Sequence, residues 1–200
     1  QRLRAWLMPI SLDLSALLLS KSRAPRNNLP GIATHFQKEY LFRDAMRLPE
    51  ESARDARVDE IRQQLNLYPF TAQVVCIAML NADTSRGQVL FVADDFEADA
   101  DEAGPVEYVP CVDEIEILTA FWDVAKHYES IVTFNGRGFD IPFVYLRSAL
   151  LNVPISRKDW LGYRFQTEPH CDLAEQLTFY GVSGRDGAAR RFNLDFYCRA

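Results

Sequence analysis

Ile131-Val132-Thr133-Phe134-Asn135-Gly136-Arg137-Gly138-Phe139-Asp140-Ile141-Pro142-Phe143 reads as a strand, a turn and the opening of a helix. Ile131 to Phe134 is a short apolar, β-rich run closed by Asn135-Gly136, which predicts a buried strand in a sheet covered on both faces. Phe139, Phe143, Leu146, Leu150 and Leu151 recur at near-helical spacing, so a helix is expected over 139–151. Pro142 then falls in the first turn, where its missing N–H costs little. Gly136 and Gly138 permit unusual dihedrals or close approach to a ligand, and Asn135 can brace the turn by bonding its own backbone. Asp140 projects from the helix start. A strand end that delivers an Asn and an Asp to one sheet edge is where α/β proteins place their chemistry. Helix capping by Asp140 is the competing reading.

The motif Asn135-Gly-Arg-Gly-Phe139-Asp140 resembles the second exonuclease motif of DnaQ-like 3'-5' exonucleases, in the branch similar to the proofreading domains of family B polymerases. Leu67 to Leu80, Leu146 to Leu151 and His170 to Gly181 also look like the predicted polymerase-B-like exonucleases of bacteria, so the resemblance runs from about residue 35 to residue 200. It implies an RNase H-like fold: a mixed α/β sheet with three antiparallel strands followed by parallel strands, flanked by helices. It implies Asp140 and Asn135 as catalytic residues, with Phe139, Gly136, Arg137 and Arg147 against the substrate. The implied substrate is the 3' end of single-stranded DNA or RNA. The implied cofactors are two divalent ions, Mg²⁺ or Mn²⁺, which suit hydrolysis because one activates water and the other stabilises the leaving oxygen. Such hard cations require oxygen ligands.

The family's first motif is Asp-x-Glu on the opening strand, and its nearest counterpart is Leu12-Asp13-Leu14-Ser15 in an alternating run. Asp13 is thus the second candidate metal ligand, but Ser15 stands where a Glu belongs, and a hydroxyl does not replace a carboxylate's charge. The third motif, Tyr-x-x-x-Asp on a late helix several dozen residues after Asp172, is expected to lie past Ala200, and Tyr40-Leu-Phe-Arg-Asp44 precedes the second motif and is excluded by order. Residues 1–34 are therefore expected to be atypical and the helix carrying the last catalytic aspartate to lie beyond the chain. His170 is expected at a strand end, with Asp172 capping the helix that follows.

The 200 residues, 48% of them apolar, suffice for one sizeable α/β domain over 1–200. The cysteines at 76, 111, 171 and 198 form no Cys-x-x-Cys pair, which suggests a reducing cytoplasm rather than a disulfide scaffold or a zinc site. Leu17-Leu18-Leu19 is too short to span a membrane. The net charge of −6 is uneven: residues 1–136 carry 13 basic and 21 acidic side chains, and 137–200 carry 9 and 7. Ten acids and no Lys or Arg lie between Asp94 and Glu116, a segment expected to face away from nucleic acid. Arg157, Lys158, Arg164, Arg185, Arg190 and Arg191, interleaved with Trp160, Tyr163 and Phe165, could follow a backbone and stack bases. Ordinary surface charge over a buried aromatic cluster competes with that reading.

Elsewhere the pattern predicts helices near 34–46 and 51–66, a hairpin of strands 71–80 and 88–93, and a strand at 106–110. A helix follows with Ile115, Leu118, Phe121, Trp122 and Ala125 on one face, and another begins at 192–200. Glu114-Ile115-Glu116 imitates a metal-binding pair but falls at a helix N-terminus, where acids are favoured for the dipole. Three functional readings remain open: a two-metal exonuclease domain, a fragment of one, and a nucleic-acid-binding module that keeps the fold without the metal site.

Overall fold

The computed structural model describes residues 6–8, 40, 42–93, 104–182 and 191–200. The chain falls into two compact units, 1–12 with 74–200 and 13–73, in place of the one domain expected over 1–200. In chain order the elements are β1 (Trp6–Met8), α1 (Glu51–Gln64), β2 (Cys76–Asn81), β3 (Gly87–Val92), β4 (Val106–Cys111), α2 (Glu114–Ala125), β5 (Ile131–Thr133), α3 (Asp140–Leu150), β6 (His170–Asp172), α4 (Leu173–Leu177) and α5 (Leu194–Arg199).

In the 13–73 unit, α1 is mostly exposed, with Ile61 its buried residue and Ala45 buried on the 3₁₀ turn Ala45–Arg47 that precedes it. Its ion pairs Arg57–Glu60 and Arg62–Asp59 are exposed. Such pairs contribute little to stability.

The larger unit is built on one sheet of order β4-β3-β2-β1-β5-β6. β2 runs antiparallel to both β1 and β3, while β1, β5 and β6 are mutually parallel. β4 joins the far edge parallel to β3, which corrects its placement as a third antiparallel strand. The antiparallel trio is completed instead by β1, in the segment expected to be atypical. β1 contains Trp6, Leu7 and Met8 and no carboxylate, and Asp13 lies outside the described residues. In β5, Ile131 and Thr133 are buried while Val132 is half-buried, an alternation in place of the two-sided burial expected.

Helix α2 lies against β2, β3 and β4 and touches α3. Asp113 caps it by accepting the Glu116 N–H at 2.9 Å, and Glu116 returns a carboxylate to the Val112 N–H at 2.6 Å. Its buried apolar face is Ile117, Leu118, Phe121, Trp122 and Ala125; Ile115, expected in that stripe, is exposed and Ile117 is buried instead. Phe121, Trp122 and Trp160 form an aromatic core with ring centroids 4.8 to 6.0 Å apart. Truncating Phe121 there would cost about 3–5 kcal/mol.

Candidate functional site

The turn from β5 to α3 is shaped by residues on three sides. Asn135 adopts φ 66, the left-handed region that Asn tolerates better than most residues, and its carbonyl accepts the N–H groups of Gly138 and Phe139. The glycines were expected to supply the unusual dihedrals, but neither Gly136 nor Gly138 has a positive φ. Gly136 is required for space: a Cβ there would lie 2.4 Å from Thr133 Oγ1 and 2.5 Å from Thr133 Cβ.

Thr133 connects the turn to β6. Its Oγ1 accepts the Gly136 N–H at 3.1 Å and lies 2.7 Å from His170 Nε2, while His170 Nδ1 lies 2.9 Å from the Trp160 carbonyl. A carbonyl only accepts, so Nδ1 carries the proton and Nε2 accepts from the Thr133 hydroxyl. Burial lowers the His170 pKa, which favours this neutral form.

Asp172, at the end of β6, was expected to cap a helix, and it does so by accepting the Ala174 N–H at 3.0 Å. It does more than that. Oδ1 also accepts the Asn135 N–H at 2.7 Å and Oδ2 accepts the Arg137 N–H at 3.0 Å, so a fully buried carboxylate clamps both sides of Gly136. The available signal was its position where a strand passes into a helix.

Asp140 is the first residue of α3 and is buried. Its pKa is raised to about 7, chiefly by burial and further by the Asp172 charge, with its own backbone N–H opposing. A carboxyl displaced this far at a strand–helix junction marks a functional candidate. Phe139 is half-buried and packs on Phe143 at 5.8 Å.

The two arginines expected against substrate have other partners. Arg147 is 1% exposed and donates from Nε and Nη2 to Glu114 at 2.8 and 2.5 Å, and Glu114 also accepts the Val74 N–H at 2.7 Å. It lies in the buried stripe Ile141, Val144, Arg147 and Ser148, whereas Leu146 and Leu150 are exposed. Arg147 is therefore corrected to a core residue. Arg137 bonds the carbonyls of Gly162, Gln166 and His170 and pairs with Glu175 at 3.1 Å, so it braces the loop ahead of β6. Trp160, considered for base stacking, is buried, whereas Tyr163 and Phe165 are exposed.

At the far end of the chain, Asn193 caps α5 by accepting the Phe196 N–H at 2.9 Å, and the Tyr197 ring packs 5.9 Å from Phe134. Among the described residues no three His, Cys, Asp or Glu side chains are grouped so as to hold a metal ion.

A mixed sheet with its antiparallel strands first, its parallel strands last and an Asn–Asp turn on the first strand of the parallel end defines an RNase H-like domain of the exonuclease type. The chain belongs to the family of predicted 3'-5' exonucleases related to the exonuclease domain of PolB, whose model matches residues 68–193. It is 27% identical over 105 residues to DNA polymerase 1 of Sulfolobus acidocaldarius, covering 50% of this chain and 12% of that one. It is 29% identical over 96 residues to DNA polymerase 1 of Saccharolobus solfataricus, covering 44% and 11%. Over 39 residues it is 46% identical to DNA polymerase 1 of Sulfurisphaera ohwakuensis, covering 20% and 4%. The chain thus spans about an eighth or less of each polymerase's length.

Proposed function

We propose that this is a 3'-5' exonuclease domain acting on single-stranded nucleic acid, with Asp140 as a metal-binding carboxylate and Asn135 as the residue that shapes its turn. The observation that carries the reading is Asp140 itself, a buried carboxyl at the β5–α3 junction inside the matching motif, on a turn clamped by Asp172.

Divalent ions, Mg²⁺ or Mn²⁺, supply water activation and leaving-group stabilisation in such hydrolysis. The described residues do not fit a two-ion site by themselves: Asp172 already accepts three backbone N–H groups, and no three His, Cys, Asp or Glu among the described residues are grouped to hold a metal ion. The other ligands must come from outside the described residues, where Asp13 lies. The contact of Tyr197 with Phe134, next to Asn135, supports α5 as a candidate for the third-motif helix, on which a further carboxylate would stand. The free thiols of Cys76, Cys111, Cys171 and Cys198 suit a reducing compartment such as the cytoplasm. No helix among the described residues is long and apolar enough to cross a membrane.

The test is release of nucleotides from a 5'-labelled single-stranded oligonucleotide, with Mg²⁺ or Mn²⁺, by a longer form of the protein and its Asp140→Asn variant. Loss on the order of 10²-fold or more is expected; equal rates would sink the assignment. The lack of a carboxylate cluster among the described residues favours a second reading, a binding module without hydrolysis, which predicts oligonucleotide binding and no degradation in any form of the protein.

A further inference from the structure

We infer that the rings of Tyr163 and Phe165, backed by Tyr180, form a base-stacking platform for single-stranded nucleic acid, joined to the turn that carries Asp140. The inference rests on the nuclease reading above and adds a place for the substrate's bases.

Residues 161–168 are exposed throughout. Tyr163 meets Phe165 edge-on at 5.6 Å, and Phe165 meets Tyr180 edge-on at 5.0 Å. Tyr163 is 67% exposed and Phe165 54%. An edge-on contact covers at most one face of one of its two rings, and an open face, such as the 67% exposed Tyr163 retains, is what a nucleobase stacks on whatever its sequence. The backing is held under strain: Phe179 and Tyr180 adopt φ 47 and 56, which bulky residues seldom occupy, and Phe179 is 68% exposed. Strain of this kind persists where the surroundings enforce it, and it concentrates at ligand sites.

Two further features select the occupant. Arg164 sits over the Phe165 ring at 6.0 Å and is fixed by Glu175 at 3.0 Å and the Tyr180 carbonyl at 3.2 Å, which sets a cation at the platform for a phosphate. Arg137 bonds Gly162 O and Gln166 O, the carbonyls on either side of Tyr163 and Phe165, while its own N–H is held by Asp172. Arg137 thus ties the platform loop to the turn that carries Asp140.

The experiment measures binding of a fluorescein-labelled oligothymidylate of about 12 nucleotides, within the site sizes usual for single-strand binders, to the full chain in EDTA by fluorescence anisotropy. Tyr163→Ala and Phe165→Ala should each weaken binding about tenfold. Tyr163→Phe should retain it, as should Tyr108→Ala, an exposed ring on β4 at the opposite edge of the sheet. Circular dichroism and urea midpoints matching wild type establish that the variants fold. The inference is overturned if wild type does not bind, if the platform variants bind as tightly as wild type, or if they only abolish self-association. Because binding is read without divalent ions, its failure is separable from a failure of the Asp140→Asn hydrolysis test.

Discussion

The Asp172 carboxylate accepts the backbone N–H of Asn135 at 2.7 Å across the β5–β6 pair, so the end of one strand fixes the turn that follows its neighbour. Asp172→Asn keeps one carbonyl oxygen but turns an NH₂ group toward a backbone N–H that it cannot accept. Hydrogen bonds to charged groups contribute about 1.5–3 kcal/mol each, and a loss of about 2–3 kcal/mol is predicted by urea unfolding. Removing the charge should also lower the Asp140 pKa, read by NMR titration of the Asp140 carboxyl. An unchanged Asp140 titration would show that the two carboxylates are not coupled.

Asp140 imposes a pH dependence with a definite sign. Its folded pKa, raised to about 7, exceeds the unfolded value near 3.9, so the native state holds the proton over a range in which the unfolded chain releases it. Stability should therefore fall as pH rises from about 4 to about 7 and level off above, by a total on the order of 4 kcal/mol. Asp140→Asn should flatten that fall and be the more stable protein at pH 8. Denaturant unfolding of both forms across this range decides it, and parallel profiles would exclude Asp140 as the source.

Arg147 and Glu114 form a pair whose removal is felt in folding, not in substrate binding. Arg147→Met leaves a buried carboxylate without its cation, which costs about 3–5 kcal/mol. The double variant Arg147→Met/Glu114→Gln should recover part of that loss. At a temperature where the single variant remains folded, its affinity for single-stranded oligonucleotide should equal that of wild type; a fall in affinity would return Arg147 to the substrate surface.

The sheet and the Asn–Asp turn were legible because a short β-rich run, a turn dipeptide and a Pro in the first helical turn are local signals. Arg147 was set against the substrate by the family resemblance alone, and its partner Glu114 is 33 residues away, too far for sequence to pair them. Asp172 was read as a cap alone since its bonds to Asn135 and Arg137 depend on β5 and β6 being neighbours, which chain order leaves open. The glycines were read as freeing the dihedrals or admitting a ligand because the contact of Gly136 with Thr133 cannot be read from sequence, and Asn135 was read as bracing the turn, not as its left-handed residue. Ile115 and Ile117 lie two apart on a helix, and only packing determines which of them is buried.

Gly136 and Gly138 should therefore respond differently to the same added methyl. In Gly136→Ala the new Cβ meets Thr133 Oγ1 and Cβ, close to the backbone, and the Thr133–His170 bond must break or the turn must shift. Overpacking of this kind costs about 1–3 kcal/mol, and the upper end is expected. In Gly138→Ala the nearest atom is the Asn135 amide oxygen at 3.0 Å, which can swing aside. Its effect should stay within about 1 kcal/mol and can be a gain, because an Ala at a φ it adopts without strain stabilises by about 0.4–1 kcal/mol through the unfolded chain. Thermal unfolding of the two variants checks the order, and a larger loss for Gly138→Ala would contradict it.

Tyr197 offers the route to the missing carboxylate. Its ring lies 5.9 Å from Phe134, the residue before Asn135, so α5 reaches the same strand end as the Asn–Asp turn. Residues four apart share a helix face, so an Asp four positions after Tyr197 would extend from the same side of a lengthened α5. The prediction is that a longer form of the protein has Asp at that position. In that form, changing this Asp to Asn should lower metal-dependent hydrolysis on the order of 10²-fold, while Tyr197→Phe, which keeps the ring on Phe134, should cost less. Sequencing beyond Ala200, followed by nuclease assays of the two variants, tests this. Another residue at that position, or an Asn variant as active as its parent, would remove α5 from the site and leave the binding module as the stronger account of the fold.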